Sequence, residues 1–540
     1  MGQRFRAGSG PDQVMMMPAD PREWLPAGHL AWRMLELAAE MDLSGFGAGY
    51  RADGQGGRPY DPAMMATLLV YCYCRGRRSC REIEMATFDD VGARLICGGL
   101  HPDHPTVAEF VRRHFAAVCG LLPESVRQCA REGLVSLDLV AGDGTKLKAN
   151  ASMASNVTAA ELDAQIAALE AVIAAEFARW AQDMLGAETA GDPGRRPGSD
   201  PGSGPGGTDG AAGKKPKRAE QTLARRRAAR AQLGARRDEA GRKEQDKAQA
   251  RAAETAARVE RKEAAVAKWE GQAAARLEAR AAKTAAGRRV GGTRPITSID
   301  DDREVKRARQ ALDAARAGHQ AALAAAAAPP GPGPAGKVNT ADPASRVMPL
   351  KKGGYDQLFN VQALATARTQ VILAVTRHDN PSDTGALAAL LDKARQVLGA
   401  AGITGHILKA LFDAGYASDA NFTLSTPSVL YIAVTREARQ TGRSPDGRDP
   451  QAMLPSWEDM TARLQTPEGK ALYRQRAGTI EPVFAQLTAR LGRTLHYRGS
   501  AVDAELALWA ASHNILKAIK ARALRTATGA PAPAPALAAA

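Results

Sequence analysis

The spacing of apolar positions first predicts helices. From about residue 18 to residue 130, apolar side chains recur three and four positions apart, and AMMATLLVYCYC is the clearest apolar helix. Two capping boxes, in which a hydroxyl and a carboxylate satisfy the free N–H groups of a helix start, are predicted at Ser79 with Glu82 and at Thr106 with Glu109. We therefore predict an all-α domain over residues 18–130.

A strand pattern follows and is soon interrupted. LVSLDLVAGDGTKLKANAS predicts a buried strand that ends in a turn at Gly142-Asp143-Gly144. Helical spacing then resumes over 156–335, and residues 187–217, which are rich in Gly, Pro, Ser and Asp, are predicted to be disordered. The apolar seam of the first long helix needs a partner helix, which we place at about 219–286. The two would form an antiparallel helical (coiled-coil) hairpin, and a further helix is predicted at 301–325. The seam residues are Leu162, Ile166, Leu169, Ile173, Phe177, Trp180 and Met184.

Strand patterns return in the last third of the chain. DQLFNVQALAT and QVILAVTRHD predict two strands, and HILKALFDAGYAS and SVLYIAVTR predict two more after a helix. Helices are predicted near Trp457–Arg476 and Glu481–Arg490, and Pro482 suggests that Glu481 begins the second of them. The predicted fold class is therefore α/β: a mixed-sheet domain that starts at 131–155, is interrupted by the insertion, and resumes over 336–522 before a disordered tail at 523–540.

Composition narrows the functional classes. The 540 residues carry a formal charge of +15, but residues 201–300 hold 24 Lys and Arg against 12 Asp and Glu, so most of the excess lies in the insertion. No apolar stretch approaches the ~20 residues that span a bilayer, and the opening residues predict no secretory signal. Cys72, Cys74, Cys80 and Cys97 lack the usual zinc spacing, which favours reduced, buried thiols in a cytoplasmic protein.

Several arginines lie between or on the N-terminal helices. Short helices with interspersed arginines are typical of helix-turn-helix-like DNA-binding modules. A helical scaffold with arginines on its surface is the alternative, and the pattern does not decide between them. The arginines are Arg75, Arg77, Arg78, Arg81, Arg112 and Arg113.

Three carboxylates are the candidate reactive groups. Asp143 and Asp413 each follow an apolar strand and stand beside a glycine, where open α/β sheets place their active sites. Glu481 comes from a helix. Carboxylates from two strands and a helix suit Mg²⁺, which binds few protein oxygens together with substrate phosphate and water. From spacing alone, the alternative that these acids are turn residues at strand ends is favoured.

Several sequence blocks resemble one known family. VAGDGTKLKANAS, LFDAGYAS and RQRAGTIEPVFAQL, in this order, resemble the catalytic blocks of bacterial insertion-sequence transposases of the DDE type. RPYDPAMMATLLVYCYCRGRRSCREIE is similar to the helical domain that precedes the catalytic domain in one large group of them. DPASRVMPLKKGGYDQLFNVQA and ALWAASHNILK are also similar to that group.

This resemblance implies an RNase H-like catalytic domain behind an N-terminal helical domain. It implies a catalytic, metal-binding triad of Asp143, Asp413 and Glu481, with Mg²⁺ as cofactor and Mn²⁺ as the alternative metal. It also implies cleavage and strand transfer at terminal inverted repeats of double-stranded DNA by a homodimer in the bacterial cytoplasm, at the nucleoid, without a membrane partner.

The resemblance assigns DNA contacts around the glutamate to Tyr473 and Arg476. The lysine that the family carries seven positions after the glutamate is Thr488 here, and Arg490 is a possible substitute. This departure supports a second hypothesis, a catalytically weakened transposase-derived DNA-binding protein. A third is a structural protein built on the insertion.

The roles of three further features stay open at this point. Lys146 and Lys148 follow the first aspartate, where they either neutralise DNA phosphate or are ordinary solvated lysines. His513-Asn514 lies in a family block and is interpreted mainly as structural packing. The basic insertion either binds DNA, pairs protomers, or is a solvated hairpin without a role of its own.

Overall fold

The computed structural model describes most of the chain as two compact units. The first, here called the sheet unit, comprises the described parts of Met1–Ser155 and Ala344–Ala540, and the second, the insertion unit, comprises those of Asn156–Pro343. The insertion unit begins at the residue where the insertion was predicted to begin (156–335) and ends eight residues later than predicted. The described residues are 20–47, 50, 59–189, 214–287, 297–329, 336–350, 353–434, 455–529 and 531.

Short helices form the N-terminal part of the sheet unit, as predicted. The capping box at Ser79 is confirmed, because its hydroxyl accepts from the Glu82 N–H and the Glu82 carboxylate accepts from the Ser79 N–H. The box predicted at Thr106 is wrong: the helix begins earlier, and Asp103 caps it by accepting from the Thr106 N–H. The helices are α1 Pro21–Trp24, α2 Leu30–Glu40, α3 Pro62–Cys74, α4 Cys80–Asp89, α5 Val91–Ile96, α6 His104–Arg113 and α7 Phe115–Arg131.

One mixed sheet of six described strands is the centre of the sheet unit. Strand β5 (Tyr355–Thr366) pairs with β1 along one edge and with β4 and β6 along the other, and all three are antiparallel to it. On the other side of β1, β7 is parallel to β1, and β8 is parallel to β7. The strands are β1 Leu139–Lys148, β4 Arg346–Pro349, β5 Tyr355–Thr366, β6 Ile372–His378, β7 Lys409–Phe412 and β8 Val429–Ile432; β2 Asn156–Val157 and β3 Val338–Asn339 pair in the insertion unit.

The GDG segment is not the predicted turn but the middle of β1. Gly142 and Gly144 keep neighbouring groups close to the strand: a Cβ on Gly142 would lie 2.3 Å from the Phe412 ring, and one on Gly144 would lie 2.6 Å from Gln362 Nε2. These glycines are therefore required by close packing on the sheet rather than by a change of chain direction.

Helices of the C-terminal half cover the sheet and join it to the N-terminal helices. The last of these helices, α16 (Ala501–Thr528), packs against α3, α7 and β6, so helices and sheet share one apolar core. Asn514 on α16 is fully buried, and its amide bonds to Ile372 and Ser125, as the packing interpretation of His513-Asn514 predicts. The helices are α11 Leu387–Ala400, α12 Asp419–Phe422, α13 Pro455–Gln465, α14 Pro467–Tyr473, α15 Gln475–Leu491 and α16 Ala501–Thr528.

The predicted tail at 523–540 starts too early. α16 continues to Thr528, where Gly529 in a left-handed conformation ends it. Of the residues beyond, only 531 is described. Among the described residues, no helix combines the length and the apolar character needed to cross a membrane.

The insertion unit contains two helical hairpins instead of the predicted one. Its helices are α8 Ala159–Thr189, α9 Lys214–Ala285 and α10 Arg303–Ala327. The first part of α9 runs antiparallel to α8, with Arg227 paired to Glu170, and its last part pairs with α10. α8 ends at 189 and α9 starts at 214, so the predicted disorder at 187–217 is contradicted at both ends, and residues 190–213 lie outside the described residues.

Candidate functional site

Asp143 and Asp413 lie at the same level on neighbouring parallel strands. Leu139 pairs with Lys409 and Ala141 with Leu411, and continuing this register places Asp143 opposite Asp413. Adjacent strands are ~4.8 Å apart. Asp413 stands just beyond the end of β7, where its Oδ1 accepts from the Gly415 N–H at 2.9 Å.

The Asp143 carboxyl is in an unfavourable environment for its charge. Burial and then the neighbouring Asp413 carboxylate raise the pKa of Asp143 to about 6, although the Gly144 N–H at 2.8 Å and the Arg476 guanidinium oppose the change. A perturbed acid next to a second acid is a common feature of functional sites.

Glu481 is in the interior of α15, and the prediction that it begins a helix is wrong. α15 starts at Gln475 and continues through Pro482. The sequence signal of a proline in the first helical turn does not apply here, because this helix tolerates its proline in the third turn, seven residues after Gln475. The Glu481 side chain is 60% exposed, in contrast to the largely buried aspartates.

Arg476 links the strand and helix acids. Its Nη1 is 3.5 Å from Asp143 Oδ2, and its Nη2 is 3.5 Å from Glu481 Oε1. The side chain is only 15% exposed; burial would lower its pKa, but Tyr473 and the acids Asp143, Asp413 and Glu481 outweigh burial and raise it. Nη1 is buried and makes no hydrogen bond to any described residue, so it keeps a donor for an anionic group.

Asp383 is a fourth carboxylate that the sequence interpretation missed. Its Oδ1 accepts from Asn360 Nδ2 at 2.8 Å and Gln362 Nε2 at 2.7 Å, and both amides are buried on β5. Asp383 Oδ2 and Asp413 Oδ1 both lie within 3.1 Å of the point that a Cβ on Gly415 would occupy. The signal in the sequence was the pair of amides two positions apart in the otherwise apolar stretch LFNVQALA.

The acids of this site suit the predicted divalent metal in their chemistry but not in their arrangement. The donors are hard carboxylate oxygens, and the raised pKa of Asp143 indicates negative charge that the protein does not fully compensate. However, no group of three His, Cys, Asp or Glu side chains within the described ranges is arranged to hold a metal ion. The structure brings Asp143 and Glu481 to one guanidinium but does not gather the trio around one point.

Lys146 and Lys148 lie within β1, not in a turn beside the acids. Because side chains alternate across a strand, both project from the face opposite to Asp143. Lys146 Nζ donates to the Pro349 carbonyl at 3.2 Å, and Lys148 Nζ pairs with Asp356 at 2.7 Å. The structure therefore does not place these lysines with the carboxylates.

The two arginines predicted to bind DNA on α6 make local contacts. Arg112 forms a two-pronged ion pair with Glu109, and Arg113 lies over the Tyr50 ring at 4.7 Å. Arg112 is 74% exposed, so its pair with Glu109 is worth little and can be exchanged for another anion.

Thr488 lies on the same face of α15 as Glu481, because their separation of seven residues is close to two helical turns. Thr488 directs its hydroxyl to the Phe484 carbonyl at 2.8 Å and offers no cation. Arg490, the suggested substitute, is half a turn away on the opposite face and bonds to Ser512 on α16. It therefore cannot replace the family lysine.

Two family models match the chain. Residues 19–113 match the family described as Transposase domain (DUF772), and residues 451–519 match the Transposase DDE domain. Together the two matches support an insertion-sequence DDE transposase. No curated protein and no solved structure matches the chain significantly.

The two matches fall on different parts of the transposase. The first covers α1 to α6, and the second covers Tyr473, Arg476 and Glu481 together with the beginning of α16. Asp143 and Asp413 lie outside both matched segments, so their part in the site depends on the register of β1 with β7.

Proposed function

We propose that this transposase cleaves DNA at the terminal inverted repeats of an insertion sequence and joins the 3′-hydroxyl ends to target DNA. Asp143, Asp413 and Glu481 are the catalytic residues, and they are also the metal ligands. The observation that carries the proposal is the convergence of β1, β7 and α15, in which Arg476 connects Asp143 with Glu481.

The strand arrangement supports an RNase H-like core. Across the sheet, β6, β5 and β1 are antiparallel neighbours, and β7 and β8 follow in parallel. The acids come from the central strand, the end of the next parallel strand and a helix packed on β1 and β5. This is the placement that the resemblance of the catalytic blocks implies.

Asp143 and Asp413 would hold Mg²⁺, or Mn²⁺ in its place, and the exposed Glu481 would complete the ligand set by a rotation of its side chain. Bound divalent metal would activate water or a 3′-hydroxyl and stabilise the leaving oxygen. The chain's own part is to keep two carboxylates charged side by side despite burial and to hold them fixed through β1 and β7.

Arg476 has a second role in this proposal. It balances the charge of Asp143 and Glu481 in the structure, and its Nη1 retains an unused donor. Once those carboxylates are neutralised, the guanidinium is available for a phosphate oxygen beside Tyr473. Arg112, Arg113, Lys146 and Lys148 would contact DNA phosphates farther from the cleaved bond.

Two protomers would act on the two ends of the element, because each end must be cut and joined in one reaction. The protein would work in the bacterial cytoplasm on nucleoid DNA. These assignments rest on the transposase family that the two matches support.

A second candidate function is that of a weakened transposase that binds repeats without cutting them. Thr488 favours it, since no described arginine or lysine replaces the family lysine on the Glu481 face of α15. The retained Asp143, Asp413 and Glu481 favour the first candidate.

A cleavage assay distinguishes the two candidates. Duplexes carrying the ends of the element would be incubated with Mg²⁺ and the wild type, D143N, D413N, E481Q or the control D138N, whose aspartate is exposed just before β1. We expect the wild type and D138N to cut the strand, and each of the other variants to lose cutting by at least roughly a hundredfold while still binding DNA. Binding by the wild type without any cutting would establish the second candidate, and cutting by all three triad variants would refute the first.

A further inference from the structure

Pro482 leaves one carbonyl of α15 without its helical partner. A residue at this position normally donates its N–H to the carbonyl four residues earlier, which is that of Gly478, and proline has no N–H. The side-chain amide of Gln370 donates to this carbonyl instead, with Nε2 3.2 Å from the oxygen. A residue of the β5–β6 turn thus replaces the missing bond in the helical turn that carries Glu481.

The conformation of Gln370 indicates that this contact is built into the turn. Its φ of +57° is the one positive value for a non-glycine residue in the described part of the chain. Side chains other than glycine adopt this region at a cost, and they keep it only where the surroundings enforce it. The Gln370 N–H donates to the Thr366 carbonyl at 3.0 Å, which fixes the turn from one side.

His513 fixes the turn from the other side. Its Nε2 is 2.9 Å from the Gln370 carbonyl, and the imidazole is almost fully buried. Burial lowers the pKa of His513 to about 3, so the ring is neutral, and the nitrogen that faces the carbonyl must carry the proton and donate it. His513, in the family block His513-Asn514, is therefore connected to α15 by hydrogen bonds through Gln370.

The direction of the Glu481 side chain is set by the backbone of α15. It directly precedes Pro482, its side chain is mostly exposed, and Arg476 Nη2 is 3.5 Å away, which is too long for a hydrogen bond. We infer that Gln370 is a positioning residue for Glu481: it closes the helical turn that proline leaves open and so holds the glutamate toward β1. This inference rests on the catalytic role proposed for Glu481.

A double-mutant cycle tests the inference. Gln370→Gly removes the amide and also relieves the positive φ, so the turn itself is not strained, and Gln370→Asn tolerates the same φ but is one methylene too short to reach Gly478. Pro482→Ala restores an N–H that can bond to the Gly478 carbonyl within the helix. Single-turnover strand cleavage and the dissociation constant for DNA ends would be measured for each single variant, for Q370G/P482A and for the wild type.

We expect Q370G and Q370N to lower the cleavage rate roughly three- to tenfold with unchanged DNA binding. In the P482A background, Q370G should cause no further loss. An equal loss in both backgrounds, or no loss in either, would overturn the inference. These outcomes can be distinguished from a failure of the proposed function, because in that case the wild type would not cut DNA at all.

The same cycle, measured as the free energy of unfolding in urea, does not require activity. Removal of the Gln370 side chain should destabilise the proline-containing protein more than the P482A protein. Equal effects in the two backgrounds would show that the amide does not replace the missing helical bond, and the inference would fail whatever the enzyme does.

Discussion

The carboxylate of Asp383 occupies the space that a side chain on Gly144 would need. A Cβ at position 144 would lie 2.7 Å from Asp383 Oδ1, which is closer than real Cβ contacts allow. Gly144 follows Asp143. A Cβ on Gly415, which is two residues after Asp413, would lie 3.1 Å from the other oxygen of Asp383. Both glycines, which stand beside Asp143 and Asp413, therefore make room for a third acid held by β5.

Gly144→Ala should therefore damage both stability and activity. The added methyl group must displace the Asp383 carboxylate or the Gln362 amide, and overpacking of this kind typically costs about 1–3 kcal/mol. Urea unfolding and the cleavage assay would measure the two effects. Gly399→Ala on α11 is the matched control, because nothing lies within 4 Å of the added Cβ, and it should be neutral or slightly stabilising. Equal behaviour of the two variants would contradict the packing account.

Asp143→Asn should stabilise the protein at pH 7.5 in the presence of a chelator. The wild-type carboxylate is disfavoured there by burial and by Asp413, as its raised pKa indicates, and an uncharged amide removes that cost. The expected gain in the free energy of unfolding is about 1–3 kcal/mol, against no change for Asp138→Asn. A loss of stability in D143N would show that the aspartate contributes to folding rather than to function.

Glu505 on α16 should make stability depend on pH. Burial raises its pKa to about 7, although the His496 and Tyr497 N–H groups, at 2.9–3.0 Å, favour the charged form. The folded state therefore holds this proton more tightly than the unfolded state, whose glutamate has a pKa near 4.5. The free energy of unfolding should decrease by about 2–3 kcal/mol as the pH rises from about 4.5 to about 7, and this contribution should be constant above that range.

Urea unfolding of the wild type and E505Q at pH 5, 6 and 8 would measure this dependence. In E505Q the difference in stability between pH 5 and pH 8 should become smaller, since glutamine does not titrate. An unchanged difference would assign the pH dependence to other groups.

The sheet unit should fold without the insertion. Among the described residues, those that form its buried apolar core all lie outside Asn156–Pro343. Val157 and Val338 are antiparallel partners, so replacing residues 158–337 with Asn-Gly provides a two-residue hairpin loop between them. The shortened protein should unfold in one cooperative transition, followed by circular dichroism, whereas an expanded state without cooperative unfolding would show that the insertion is needed for the core.

The sequence alone was sufficient to predict the strands and helices whose signals lie in neighbouring residues. The apolar runs before Asp143 and Asp413 predicted strands, and helical spacing predicted α3 and the long helices of the insertion. The turn predicted at Gly142–Gly144 was wrong because glycine marks both turns and close packing in a sheet. Only the positions of Phe412 and Gln362, which come from distant parts of the chain, distinguish the two cases.

Less of the candidate site could be predicted from the sequence. Asp383 has no motif of its own, and it reaches the site because Asn360 and Gln362 on β5 hold it there. Glu481 was expected at a helix start because Pro482 follows it, and the bond from Gln370 that permits proline inside α15 could not be inferred from neighbouring residues. Contacts between residues 21 and 23 positions apart decided the first case, and a contact between residues 108 positions apart decided the second.

Crystallography of the protein with Mn²⁺ and a duplex of the element's end would show whether the three acids bind one metal, because anomalous scattering locates the metal without reference to activity. We expect Mn²⁺ bound by Asp143 and Asp413, with the Glu481 carboxylate turned onto the metal and Arg476 released from Glu481 onto a phosphate. A metal bound elsewhere, or a Glu481 that stays with Arg476 and away from both aspartates while DNA is bound, would contradict this expectation.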